Sequence, residues 1–288
     1  MFVVLFVIII SNHVVVLRSS LMPRASPWDR QCLFRNPILK FILDKFNMKN
    51  RIKIFESIDE LSEFIGNLWS EKLDELDDKR YFSVALSGGN TPIKIFNYLS
   101  ENFRDKIEWS KIKFYWGDER CVPPTDSDSN FKLAKDYLFK PLGISEANIF
   151  RMRGEFDPHD EAKDYSNLLE SSLSSDNGSP KFDFILLGLG EDGHTASIFP
   201  HQIDLFNSPN YCEVAEHPLT GQKRISITGK IINNAETVMI IAVGESKAEI
   251  LSEILNKNES TNRYPAELVK SKSGKLFWLL DKESAKRL

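Results

Sequence analysis

From residue 51 onward, short apolar runs alternate with longer stretches in which apolar residues recur every three or four positions. Residues 52–55 (IKIF) predict a strand. Ser57 and Glu60 predict a capping box ahead of a helix carrying Leu61, Phe64, Ile65, Leu68, Trp69, Leu73 and Leu76. Residues 81–86 predict the next strand, with SGGNTP after it. Thr91-Pro92 there reads as an N-cap and first helical position, leading into a helix through Phe96, Leu99 and Phe103. Residues 112–116 predict a strand that ends in GDER. A helix is expected near 130–139, and another is opened by Asp157-Pro158 and carries Tyr165, Leu169 and Leu173. Residues 182–187 and 237–243 are almost continuously apolar, the mark of strands covered on both faces. The polar stretch SSLSSDNGSP (171–180) reads as a loop between a helix and a strand. There is no internal repeat. The alternation predicts an α/β fold, a doubly wound, mostly parallel sheet flanked by helices (Rossmann-like), as a single domain over residues 48–288. In such sheets ligands bind beyond the carboxyl ends of the strands, where three polar, glycine-bearing joints fall.

Composition narrows what those joints can do. At 288 residues, 42% hydrophobic and 27% charged, the chain matches a soluble globular protein with a sizeable core. A formal net charge of −4 argues against a general nucleic-acid binder. It also requires any anionic substrate to be met by a local cluster of cations. The cysteines (Cys32, Cys121, Cys212) are odd in number with no CxxC, so neither a disulfide framework nor a zinc site is expected, and a reducing compartment is. The first residues need a separate reading. The apolar run 2–10 is broken by Ser11-Asn12-His13 and resumes only through Leu17. That is short of the roughly 20 apolar residues of a spanning helix. No Lys or Arg precedes Arg18, as a secretory signal would require. Met48 opens MKNRIKIF, which reads as a natural start. Residues 1–47 are therefore expected to be an extension, a start-site artefact or a targeting segment. A cytoplasmic place is expected, with no membrane unless residues 1–17 are an anchor.

Each joint carries a distinct chemistry. Ser87, Gly88, Gly89, Asn90 and Thr91 join a strand to a helix start and offer free backbone N–H groups at the positive end of a helix dipole, which suits a phosphate. Neither a Walker loop nor a GxGxxG fingerprint is present; taken alone, the joint is also compatible with a plain tight turn. Asp118, Glu119 and Arg120 in WGDER read in isolation as a solvated charge cluster, but the rim of a parallel sheet is where such groups face a ligand. In LGLGEDGHTASIFP (187–200), His194 is suited to proton transfer near neutral pH. Asp192, two positions earlier, is placed to orient it. The glycines at 188, 190 and 193 allow a tight loop whose N–H groups are candidates to face an oxyanion. No second His or Cys lies at zinc-ligand spacing, so no metal is expected. Arg224, opening RISIT, and Lys247, in VGESKAEI with Ser246 as candidate helix cap, supply cations. A lysine in a first helical turn opposes the dipole and calls for an anion nearby.

These residues bring out a resemblance. SGGNTP (87–92), WGDER (116–120), GLGEDGHTASIFP (188–200), RISIT (224–228) with the INNAETV that follows, GESKAE (244–249) and YPAELV…LFWLLD (264–281) resemble the 6-phosphogluconolactonases of the family related to glucosamine-6-phosphate deaminases. The resemblance runs over roughly residues 51–288 and has no counterpart for residues 1–50. It implies hydrolysis of 6-phosphoglucono-1,5-lactone to 6-phosphogluconate, in the oxidative pentose phosphate pathway, with no metal or organic cofactor. The deaminases are the close competitor. They carry a GHIAFNEP-like continuation and a DEY-like motif, where this chain has His194-Thr195-Ala196-Ser197-Ile198-Phe199-Pro200 and Asp118-Glu119-Arg120. On this reading Ser87–Thr91, Arg224 and Lys247 hold the phosphate, and His194 with Asp192 activates water. Arg120 binds substrate or stabilises charge; Asp118 holds Arg120 or a sugar hydroxyl. The partner is a small sugar-phosphate lactone. The oligomeric state stays open between monomer and weak dimer. A non-catalytic sugar-phosphate sensor on the same scaffold would keep the clamp yet have no need of His194 and Asp192.

Overall fold

The computed structural model describes residues 51–176, 178–256, 263–272 and 275–288. Residues 1–47, expected to be an extension, lie outside the described residues. In chain order the described strands are β1 (Ile52–Phe55), β2 (Phe82–Leu86), β3 (Ile112–Trp116), β4 (Asp118–Arg120), β5 (Ser174–Asp176), β6 (Ser179–Lys181), β7 (Phe184–Gly188), β8 (Cys212–Glu216), β9 (Lys223–Ile227), β10 (Thr237–Ala242) and β11 (Lys275–Asp281). The principal helices are α1 (Ile58–Asp74), α2 (Asn90–Asn102), α3 (Asn130–Ala134), α4 (Pro158–Ser172) and α5 (Ala248–Leu255).

The apolar runs behave as the pattern predicts. Every residue of β2 and β10 is buried, because helices cover the sheet on both faces. Six strands form the main sheet in the order β1-β11-β10-β7-β2-β3, all paired in parallel. Helix α1 buries Leu61, Ile65, Trp69 and Leu73, one residue per turn, and the Trp69 ring meets Phe184 of β7 edge-on at 5.5 Å. Each such side chain contributes about 1.5–3 kcal/mol on leaving water. Among the described residues no helix is long and apolar enough to cross a membrane.

From β2 the chain moves outward to β3, but β7, β10 and β11 step the other way, so the order reverses between β2 and β7. These two strands pair only at Val84–Phe184 and Ala85–Ile185. Beyond those pairs their carboxyl ends are free to part, which makes this the switch point at which doubly wound sheets hold ligands.

Local expectations needed correction. Ser57 does cap α1, accepting from the Glu60 N–H at 3.1 Å, but the Glu60 carboxylate accepts from Glu56 rather than returning to Ser57. Helix α2 starts at Asn90 with Gly89 as N-cap, so Thr91 and Pro92 lie inside its first turn. Gly89 stands at φ 104°, a conformation costly for any residue with a Cβ. The stretch 171–180 is no plain loop, because β5 and β6 pair in it as a short antiparallel hairpin. Ser246 caps no helix: residues 245–247 form a 3-10 turn, and α5 starts after Lys247 without a side-chain cap.

A second sheet was not legible in the pattern. After β3 the chain passes through Gly117 into β4, which pairs antiparallel with β9, itself paired with β8. Gly117 ties the sheets together: its N–H donates to Leu86 O at 2.8 Å, and its carbonyl accepts from Ile227 N at 2.9 Å.

Candidate active site

The first element of the site is a crevice of about 180 Å³ at the switch point, lined by Ser87–Pro92, Gly188, Leu189, Val243 and Lys247. With Gly89 as N-cap, no side chain caps the start of α2. Its first N–H groups are therefore open to an anion, with the helix dipole behind them. Lys247 enters from the turn after β10. Its side chain is half-buried, and its pKa is held below the ordinary lysine value by burial, against the charges of Glu191 and Asp192. A phosphate in the crevice would relieve that burial of charge. Asn130 forms the wall behind Gly88. It is 1% exposed, and a Cβ at position 88 would fall 1.7 Å from its Oδ1. Its Nδ2 donates to the Asp118 carbonyl at 2.9 Å, while Oδ1 has no partner among the described residues.

The second element is the loop after β7. Asp192 Oδ1 lies 2.5 Å from His194 Nδ1 and also accepts from the His194 N–H at 3.1 Å. Burial raises the Asp192 pKa, but its bonds to His194 outweigh that and leave it below the ordinary aspartate value. With Nδ1 committed to the carboxylate, Nε2 is the nitrogen left for proton transfer. Gly190 makes the pair possible by its lack of a side chain: a Cβ there would stand 2.0 Å from Nδ1 and 2.6 Å from the Asp192 oxygen. One expectation fails at this point. The Gly190 N–H donates to His194 O at 2.9 Å and that of Gly193 to Gly190 O at 3.1 Å, so these groups close the loop and face no oxyanion.

The third element is the small sheet. Residues paired directly across antiparallel strands share a face, and the register sets Arg120 opposite Arg224 and Asp118 opposite Ser226. Two arginines in that position repel each other unless an anion lies between them. Burial and the charge of Arg120 both lower the Arg224 pKa, and the Nε atoms of both arginines are buried without a partner among the described residues. Arg224 also lies over Phe199, 5.5 Å from its ring centroid, and Phe199 contacts His194 at 4.6 Å. The small sheet thus delivers two guanidinium groups beside the histidine.

The charge cluster WGDER is not solvated. Asp118 and Glu119 are 5% and 2% exposed. Asp118 accepts from Ser197 Oγ at 2.6 Å, and Arg120 donates to the Asp128 carbonyl at 2.8 Å rather than to Asp118. Glu119 anchors the start of α3, accepting from the N–H groups of Asn130 and Phe131, each at 2.7 Å. Burial pushes the Glu119 carboxyl up to about 7, against the backbone N–H groups that pull it down.

The structure thus groups the expected residues in pairs and sets. Ser87–Thr91 stand with Lys247, Asp192 with His194, and Arg120 with Arg224, while Asp118 turns inward to Ser197. Arg224 approaches from the small sheet, outside the lining of the crevice. Sequence reading missed the parts played by Asn130, Glu119, Ser197 and Phe199. Ser129-Asn130, where Ser129 caps α3, was the available signal for the first two.

Comparison with known proteins identifies the family of the chain. The profile of the family "Glucosamine-6-phosphate isomerases/6-phosphogluconolactonase" matches residues 56–278. The 6-phosphogluconolactonase of Treponema pallidum is 43% identical over 201 residues, which cover 70% of this chain and 82% of that one. The enzyme of the same name from Haemophilus influenzae is 42% identical over 206 residues, 71% of this chain and 87% of that one. The solved structure of 6-phosphogluconolactonase from Trypanosoma brucei superposes with a TM-score of 0.73 at 28% identity, covering 82% of this chain and 98% of that one. The chain belongs to the glucosamine-6-phosphate isomerase/6-phosphogluconolactonase family.

Proposed function

We propose that the chain hydrolyses 6-phosphoglucono-1,5-lactone to 6-phosphogluconate in the oxidative pentose phosphate pathway. The observation that carries this reading is the Asp192–His194 pair at 2.5 Å, set beside an anion crevice at the switch point of the sheet. The names of the relatives, two bacterial sequences and a solved trypanosome structure, support it. The start of α2 and Lys247 hold the phosphate, and Arg224 completes the clamp from the small sheet through charge-assisted hydrogen bonds. His194 Nε2 takes a proton from water as the water oxygen attacks the lactone carbonyl. The same proton then passes to the ring oxygen as its bond to the carbonyl carbon breaks. Asp192 keeps the imidazole oriented and stabilises its cationic form. Because the N–H groups of Gly190 and Gly193 are taken up within the loop, charge developing on the carbonyl oxygen falls to Arg120.

The test is a direct assay. Freshly generated lactone should be hydrolysed well above its spontaneous rate, and glucosamine 6-phosphate should yield no ammonia. The opposite pair of results would reassign the chain to the deaminase branch of the family.

We further propose a cytoplasmic place, where the lactone is generated, and a catalytic unit that does not depend on residues 1–47. The family profile begins at residue 56, and Arg51–Leu288 form a compact unit. A chain starting at Met48 should therefore fold and match the full chain in kcat and KM. A Met48 chain that is insoluble or slow would show that the earlier residues take part.

A further inference from the structure

Packed on Phe199, within the field of Arg224, is an imidazole to which the mechanism gives no task. His217 begins the turn between β8 and β9, which its own backbone closes: its N–H donates to Gln222 O at 3.0 Å, and its carbonyl accepts from Gly221 N at 2.9 Å. The ring is fixed from two sides. Its Nδ1 accepts from the N–H groups of Leu219 and Thr220, each at 3.3 Å. With Nδ1 serving as acceptor, the proton of the neutral ring must sit on Nε2. The ring also meets Phe199 at 5.3 Å in an edge-to-face arrangement of 77°. Phe199 is the same side chain that His194 contacts and Arg224 covers. Three histidines and a guanidinium therefore surround one phenyl ring, His201 at 5.9 Å being the third, and of these only His194 and Arg224 have so far been given work.

The surrounding charges define what His217 can offer. Its pKa is lowered by burial first, then by Arg224, His194 and Arg120, with Asp192 acting in the opposite sense. A neutral ring in a cationic setting, with its single proton on Nε2, is a hydrogen-bond donor that adds no further charge beside the two arginines. Its natural partner is an oxygen of the anion that those arginines require.

We propose that His217 is a substrate-positioning residue, its Nε2–H donating to an oxygen of the bound sugar phosphate beside Arg224. This rests on the lactonase reading above. It goes further in giving the β8–β9 turn, which holds none of the motif residues, a direct hand in substrate binding. The role is in binding rather than in chemistry, since Asp192 pairs with His194 and no carboxylate among the described residues is bonded to His217.

Two isosteric substitutions separate this role from a merely structural one. Glutamine can place an amide N–H where Nε2 stands but cannot accept at the Nδ1 position. Asparagine restores the acceptor for the turn but offers no donor at Nε2. With the parent, His217→Leu, His217→Gln and His217→Asn compared on the lactone, KM should rise about tenfold in the Leu and Asn variants, the loss of one hydrogen bond. It should recover to within about threefold of the parent in Gln, with kcat changing far less than KM throughout. In the parent, the His217 ring pKa followed by NMR should rise on saturation with 6-phosphogluconate, because an anion at Nε2 favours the protonated ring. Rescue by Asn and not Gln, an unchanged KM in the Leu variant, or a ring pKa that ignores the ligand would each overturn the role. A parent that binds 6-phosphogluconate with these His217 effects but hydrolyses no lactone would instead overturn the function while leaving the site.

Discussion

Replacing His194 by alanine is expected to lower kcat on the lactone by about 10²–10⁴-fold, the range for loss of a general base. The dissociation constant of 6-phosphogluconate should move little, because the crevice and its cations are untouched. Stopped assays against the spontaneous background measure the first quantity and calorimetry the second. Hydrolysis persisting at the parent rate would remove water activation from His194. Asp192→Asn provides the matching control. The amide can still reach Nδ1, but its NH2 can donate there and favour the tautomer with the proton on Nε2, and it lacks the charge that stabilises the imidazolium. Turnover should fall while the melting temperature and product binding stay near those of the parent. The structure adds a stricter version of the same experiment. In Gly190→Ala, the new methyl group would overlap His194 Nδ1 and the Asp192 oxygen, which stand 2.0 and 2.6 Å from its ideal position. The pair would have to move, so activity should fall with both of its members still present.

Removing either cation from the clamp is the second large effect. Lys247→Ala and Arg224→Ala should each weaken binding of 6-phosphogluconate by about 1.5–3 kcal/mol, the worth of a charge-assisted hydrogen bond. That corresponds to roughly 10- to 150-fold in affinity. Gluconolactone without its phosphate distinguishes the two residues. Lys247 lines the crevice at the start of α2, so its loss should leave the poor turnover of the unphosphorylated lactone unchanged. Arg224 lies across from Arg120 and over Phe199. If it serves the phosphate, it too should spare the unphosphorylated substrate. Equal losses on both substrates would assign it, with Arg120, to the lactone end.

How much of this was legible in the sequence depended on the range over which each feature is determined. Strands β7 and β10 announced themselves because both faces are covered, which leaves an unbroken apolar run. The Asp192–His194 pair was legible because both residues lie in one short loop, where spacing nearly determines proximity. The small sheet was not, since a three-residue strand such as Asp118–Arg120 has no periodicity of its own and its partner lies about a hundred residues later. For the same reason Arg120 and Arg224 were both picked out, but their position opposite each other was not. Thr91 made a good N-cap by residue type, yet the chain used Gly89, whose positive φ turns the backbone into the helix two residues earlier. Glu119 looked solvated because charge usually is, and only the fold reveals the N–H groups of α3 converging on it.

The edge of the main sheet has a consequence for how the protein is made. Among the described residues strand β1 pairs only with β11, Ile52 beside Trp278 and Phe55 beside Asp281. During synthesis the first strand and the amphipathic helix behind it leave the ribosome long before the segment that completes them. Until residues 275–281 follow, β1 has no strand neighbour among the described residues, and β10 has an open side. The last strand is therefore the keystone of the sheet, seated between the oldest and one of the newest parts of the chain. Such distant pairing delays closure and lengthens the time that apolar edges stay uncovered. The helix-capping carboxylate at the end of that same strand, Asp281, also receives the Gly244 N–H beside the Lys247 turn. Arrival of β11 thus closes the sheet and fixes the Gly244 turn that leads to Lys247 in one event.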